Sequence, residues 1–238
     1  MNQTVTFQAE GGNLVGTLHL PGSPAPPVVI GSHGLLGTRN SAKQVALAEA
    51  CSSAGMAFLR FDHRGCGESD PAAAGSDLLT TRVADLLAAV SWAASRPDID
   101  DRFGLFGSSM GGAICLAAAP ACAPVAMVTW AAPVTSEGVN VSSPEAALPP
   151  GIHCSAFDLT GHLRDIRNIC VCHGDQDQVV PVDNAHTIYD GVRDPRNRII
   201  FQGADHRLSQ PDNHRRFVSA SVRWFARHLF AGAGEDHR

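Results

Sequence analysis

No window of the sequence approaches the roughly 18 consecutive apolar residues that a membrane-spanning helix requires, so no membrane association is expected. The opening "MNQTVTFQAEGG" has neither a cationic start nor an apolar run, and does not read as a secretion signal. Charge of one sign is equally scarce. Lys and Arg number 18 against 23 Asp and Glu, a net charge of −5 mixed along the chain, and the basic runs "RNR" and "HRR" are short and interrupted. A nucleic-acid partner is therefore not expected. The seven cysteines form no C-x-x-C pair, and they read as small buried side chains in a reducing cytosol. Cys170 and Cys172, two apart on a predicted strand, are expected to point to opposite faces. In that compartment the sequon "NVS" at Asn140 is a chance match. The eleven histidines include no H-E-x-x-H or other ligand-spaced cluster, and no glycine-rich turn ends in G-K-[ST]. Neither a metal nor a phosphate-bearing cofactor is expected.

What is present is a globular composition, 238 residues with 44% hydrophobic and 17% charged side chains, long enough to bury roughly 70–75% of its unfolded surface. "VTFQ" and "LVGTLHL" predict a hairpin turning at Gly11 and Gly12. From "VVIGSH" onward, short apolar runs alternate with helical periods: "MAFLRFD", "RFGLFGS", "VAMVTWAAP", "NICVCHG" and "NRIIFQ" are the strands. This alternation predicts an α/β fold, a mostly parallel sheet with helices on both faces. Residues 135–165 have no clear period. Placed between two core strands, they predict a small cap over the strand ends whose apolar residues, Val139, Val141, Ala146, Leu148, Ile152, Phe157 and Leu159, line an acyl pocket, with a plain surface excursion as the competing reading.

In such a sheet, ligands bind beyond the carboxyl ends of the strands. After "RFGLF" comes Gly107-Ser108-Ser109-Met110-Gly111, a G-x-S-x-G at a strand-to-helix turn. Its glycines permit a sharp bend that exposes the middle serine, Ser109, while Ser108 is out of register. A serine hydroxyl needs a base, and the base needs a third group to fix its tautomer. Downstream strand ends supply them in the order acid then histidine: "HGDQDQVVP" carries Asp175 and Asp177, and "QGADHRLS" carries His206. The two amides of an oxyanion hole are expected from Met110 and from Leu35 in "HGLLG". His33 in that loop reads as a structural hydrogen-bonding residue, and "FDHRGCGES" as a turn bracing the site.

Taken together, "HGLLG", "FDHRGCGES", "GSSMGG", "HGDQDQVVP" and "GADH" resemble, in order and spacing, the motifs of the α/β-hydrolase family from about Gly11 to the last helix. The resemblance implies the α/β-hydrolase fold as a single domain, with residues 135–165 as a small cap. By the family's H-G-x-x-D-x-x-V-P pattern, the acid falls on Asp177, and Asp175 fixes the loop. Within the family the chain is similar to compact bacterial carboxylesterases of the feruloyl or cinnamoyl type and to serine-aminopeptidase-like hydrolases. Because those esterases carry a larger cap, the aromatic substrate is not carried over. The expectation is a cytoplasmic serine hydrolase, monomeric or homodimeric, that cleaves small acyl esters through Ser109, His206 and Asp177. An aminopeptidase-like or thioesterase activity on the same residues is the alternative, and a non-catalytic binding protein is the alternative of another class.

Overall fold

The computed structural model describes residues 1–140 and 153–231. The first hairpin is β1 (Asn2–Ala9) and β2 (Gly12–His19), paired antiparallel. There follow β3 (Val28–Ser32), α1 (Ala42–Ser53), β4 (Ala57–Phe61), α2 (Leu78–Ala94), β5 (Phe103–Ser108), α3 (Met110–Cys122) and β6 (Ala126–Trp130). A 3-10 helix at Thr160–Asp165 leads into β7 (Ile169–Gly174), α4 (Asp183–Gly191), β8 (Arg196–Phe201) and α5 (Pro211–Leu229). The predicted strands and helices all appear, displaced by a few residues at their ends.

The eight strands form one sheet in the order β1-β2-β4-β3-β5-β6-β7-β8, parallel from β4 to β8. Central strands such as β3 and β6 are buried at every position, which is why they read as continuous apolar runs rather than alternating ones. Successive side chains still go to opposite faces. Val28 and Ile30 meet the core under α2, α3 and α4, and Val29 meets the core under α1 and α5.

The same rule corrects the expectation for Cys170 and Cys172. Side chains two apart on a strand share a face, and both sulfurs lie in the core under α5, 3.8 Å apart. All seven cysteines are unpaired.

From β3 the chain passes through α1 to β4 on one side, then through α2 to β5 on the other. The order of strands therefore reverses between β3 and β5, and the crevice beyond their carboxyl ends is where such a sheet binds ligands. Two close approaches shape that crevice. A Cβ on Gly111, in the first turn of α3, would stand 2.1 Å from the Ser32 carbonyl at the end of β3. One on Gly107 would stand 2.3 Å from the Gly111 carbonyl. The glycines of "GSSMG" are thus needed for the seating of α3 against its own strand and the next.

Of residues 135–165, Thr135 bridges Asp158, Ser136 N–H donates to the Phe157 carbonyl at 3.0 Å, and Leu159 and Leu163 are buried in the core beneath α3 and α4. Val141, Ala146, Leu148 and Ile152, expected to line an acyl pocket, lie outside the described residues. Among the described residues, no helix is long and apolar enough to cross a membrane.

Gly111→Ala should lower stability by about 3 kcal/mol, because overpacking against backbone outweighs the roughly 1 kcal/mol that alanine gains as a helix former. Gly161→Ala, with open space around it, should change stability by less than about 0.5 kcal/mol. Urea midpoints of the two variants give the comparison; equal midpoints would mean that β3 and α3 separate without cost.

Candidate active site

Ser109 stands between β5 and α3 with φ 55° and ψ −124°, a left-handed conformation that costs a non-glycine residue about 1–3 kcal/mol. Its amide donates to the Trp130 carbonyl at 2.7 Å and its carbonyl accepts from Gly112 at 2.7 Å, which hold the turn in place. Ser109 is half-buried, whereas Ser108 is buried as the last residue of β5.

His206 and Asp177 reach it from the ends of β8 and β7. His206 Nε2 is 3.0 Å from Ser109 Oγ, and His206 Nδ1 is 2.8 Å from Asp177 Oδ2. The other oxygen of Asp177 accepts the Val179 and Val180 amides, both at 2.9 Å. Burial pushes the Asp177 carboxyl up, but the hydrogen bonds of His173 and His206, the charge of His206 and the Val180 amide outweigh it. The group is held well below the usual carboxylate range. Asp175 plays a different part. It is exposed, and its Oδ1 accepts the Gly203 amide at 2.7 Å, tying the acid loop to the histidine loop.

Met110 and Leu35 present the other two expected groups. Among the described residues, neither amide finds a protein acceptor. The Gly34 carbonyl accepts from His33 Nδ1 at 2.8 Å, from Gly37 N–H at 3.1 Å and from Arg82 at 3.4 Å, and Arg82 also donates to the Leu35 carbonyl at 3.0 Å. Because a trans peptide points its carbonyl and its N–H in opposite directions, pinning the Gly34 carbonyl aims the Leu35 N–H the other way.

The bracing turn holds this loop from below. Asp62 accepts from the Arg39 and Glu68 amides and pairs with the Arg39 guanidinium. The ring of His63, fully buried, spans Ser32 Oγ at 2.9 Å and Asp85 at 3.4 Å, while its amide donates to His33 Nε2 at 3.2 Å.

Sequence reasoning missed three residues here. Arg82 looks like one more charge on a helix. Trp130, fully buried at the end of β6, donates its indole N–H to the His206 carbonyl at 2.8 Å. His173 is fully buried within 3.3 Å of the Asp177 carboxylate, with Nε2 also 3.0 Å from the Val180 carbonyl. The "HG" at the strand end was visible as part of a motif, but spacing alone gives no role to its histidine.

A cavity of about 410 Å³ opens beside Ser109, bounded by the Leu35 loop, the first turn of α1 and His206. Of the residues expected to line an acyl pocket, Val141, Ala146, Leu148 and Ile152 lie outside the described residues. Among the described residues, Val139, Phe157 and Leu159 do not line the cavity, and Leu159 points into the core.

Residues 23–154 match the family described as serine aminopeptidase, S33. The chain belongs to this family of α/β serine hydrolases. It is 36% identical over 105 residues to an uncharacterized 31.7 kDa protein from the traX-finO intergenic region of Escherichia coli, a stretch that covers 43% of this chain and 36% of that protein. It is 28% identical over 219 residues to the mitochondrial palmitoyl-protein thioesterase ABHD10 of Mus musculus, covering 77% and 70%. Among solved structures, Est1E from Butyrivibrio proteoclasticus, with ferulic acid bound, superposes with a TM-score of 0.81 at 18% identity, over 94% of this chain and 99% of that one. At that identity the likeness is one of fold, and it establishes the α/β-hydrolase fold here.

Two outcomes follow from the geometry. Asp177→Asn should lower turnover by up to about 10⁴-fold, because an amide supports the wrong imidazole tautomer, while Asp175→Asn should cost far less. Steady-state rates on folded variants decide it, and a reversed order would redraw the site through Asp175.

The second concerns acid stability. Burial pushes the His63 imidazole down to about 4 despite the opposing pull of Asp85, so the folded chain keeps it neutral where the unfolded chain, titrating near 6.5, takes up a proton. Its contribution is present above about pH 6.5 and is lost as pH falls toward 4, by something on the order of 3 kcal/mol. Urea midpoints from pH 7.5 to 4.5 should fall less steeply for His63→Gln than for the wild type; parallel curves would exclude His63 as a source of the slope.

Proposed function

We propose that the chain is a serine ester hydrolase that cleaves small acyl esters. Ser109 Oγ attacks the carbonyl as His206 Nε2 takes its proton, and Asp177 holds Nδ1–H and stabilises the imidazolium. The Leu35 and Met110 amides receive the negative oxygen. The alcohol leaves with the proton from His206, giving an acyl-serine. Water, deprotonated by His206, attacks it, and the acid departs as Ser109 regains its proton.

The observation that carries this reading is His206 suspended between Ser109 Oγ at 3.0 Å and Asp177 Oδ2 at 2.8 Å. A binding protein has no use for a serine held at φ 55° against such a base. The same residues would cleave a thioester, the activity named for the mouse relative.

A fluorophosphonate should label Ser109 and lose its target in Ser109→Ala. Attachment at Ser108, or no attachment, would favour the binding-protein reading. With p-nitrophenyl esters, kcat/KM should climb from acetate to about butyrate or hexanoate, each buried methylene contributing about 0.8 kcal/mol, and then fall once the cavity is full. A rate still rising at dodecanoate would point to an open groove instead.

A further inference from the structure

Four residues before the acid, β7 buries a histidine to which the hydrolytic steps give no part. His173 is fully buried, and its ring reaches the loop that carries Asp177. Its Nε2 lies 3.0 Å from the Val180 carbonyl and 3.3 Å from Asp177 Oδ2. A carbonyl and a carboxylate can only accept, so Nε2 carries a hydrogen and shares it between them. Among the described residues, Nδ1 has no hydrogen-bond partner. A second proton there would be buried without an acceptor, which desolvation penalises. The ring is therefore the Nε2–H tautomer.

That hydrogen completes the surroundings of the carboxylate. Oδ1 accepts the Val179 and Val180 amides, both at 2.9 Å, while Oδ2 faces His206 Nδ1 at 2.8 Å and His173 Nε2 at 3.3 Å. Val180 is gripped at both ends, its N–H by Oδ1 and its carbonyl by His173. Because His173 stands in β7 itself, paired with Ile200 of β8, its ring is placed by the sheet rather than by the loop. Burial pushes the Asp177 carboxyl up, and the His173 hydrogen bond heads the influences that hold it below the usual carboxylate range.

Two donors on one oxygen compete. The more charge His173 draws from Oδ2, the less remains to stabilise a proton on His206. A base that holds its proton too firmly stays protonated at neutral pH and cannot take one from Ser109. The nearby charged groups on other elements are engaged elsewhere. Lys43 of α1 donates to the Arg207 carbonyl at 3.1 Å, Asp205 accepts the Ser209 amide at 2.8 Å, and Asp175 accepts the Gly203 amide at 2.7 Å. Arg207 and His33 line the cavity beside His206.

We propose that His173 is a positioning residue: it holds the acid loop through Val180 and, by sharing Oδ2 of Asp177 with His206, sets the pH above which His206 serves as the base. The kinetic consequence rests on the serine-hydrolase reading, whereas the titration of His206 does not.

His173→Phe keeps a ring and removes the donor, and His173→Gln returns an amide N–H to the place of Nε2. Followed by NMR, the titration midpoint of the His206 ring should rise by about one pH unit in His173→Phe, the size expected when one hydrogen bond to a charged group is lost. In His173→Gln it should return most of the way. The acid limb of kcat/KM should move with it. A midpoint that stays or falls in His173→Phe would overturn the proposal, even where turnover drops equally at every pH, as simple loosening of the loop would produce. If the midpoint rises and no ester or thioester turns over, the hydrolase reading fails and the proposal stands. Should His173→Phe not fold, long-range proton–nitrogen correlations on the wild type decide the matter. The Nε2–H tautomer of His173 is expected there, and an Nδ1–H tautomer or an imidazolium would overturn the proposal.

Discussion

The contact on which the site depends is the close seating of α3 on the end of β3, where Gly111 lies against the Ser32 and His33 carbonyls. It brings the first turn of α3 beside the Leu35 loop, directly after Ser109 in its left-handed conformation. Every later element answers to that constraint. The acid and histidine loops reach toward a serine whose position is set by backbone packing, not by their own attraction to it.

Around this turn, the charged groups are held by neighbours that leave them little freedom. Arg82 pins carbonyls of the loop that carries Leu35, Asp62 gathers the amides and guanidinium of the bracing turn, and Asp175 clamps the histidine loop through Gly203. Trp130 extends the same logic into the core, since its ring packs against Phe201 and Phe217 while its N–H fixes the backbone of His206. His206 is thus registered to the hydrophobic layer under α5. Orientation that is settled before substrate arrives is the kind that lowers a barrier without reorganisation.

Much of this was legible in the sequence, for physical reasons. Parallel strands buried on both faces write themselves as "VVIGS" and "AMVTW", and a strand that must turn sharply into a helix writes itself as "GSSMG". The candidate residues Ser109, Asp177 and His206 followed from strand-end positions and their order, and the structure brings all three within hydrogen-bonding reach. What stayed hidden were partners that no local pattern announces. Arg82 sits on a helix, and its importance depends on which strand end that helix happens to cross. Cys170 and Cys172 were a failure of another kind, a misapplied two-residue period. The start of α1 also borders the cavity beside Ser109, and a polar helix start such as "SAKQ" carries no sequence signal for lining a pocket.

The pairing of β3 with β5 sets Val28 beside Phe103, with all of α1, β4 and α2 between them in the chain. A growing polypeptide therefore completes the Leu35 loop long before it makes the strand that will stand next to it. Until β5 arrives, the edge of β3 is unpaired and apolar, and closing so long a loop is slow compared with forming the local helices. The reversal of strand order that creates the crevice thus also fixes when the crevice can exist, and it makes the half-finished chain a surface that other strands could join.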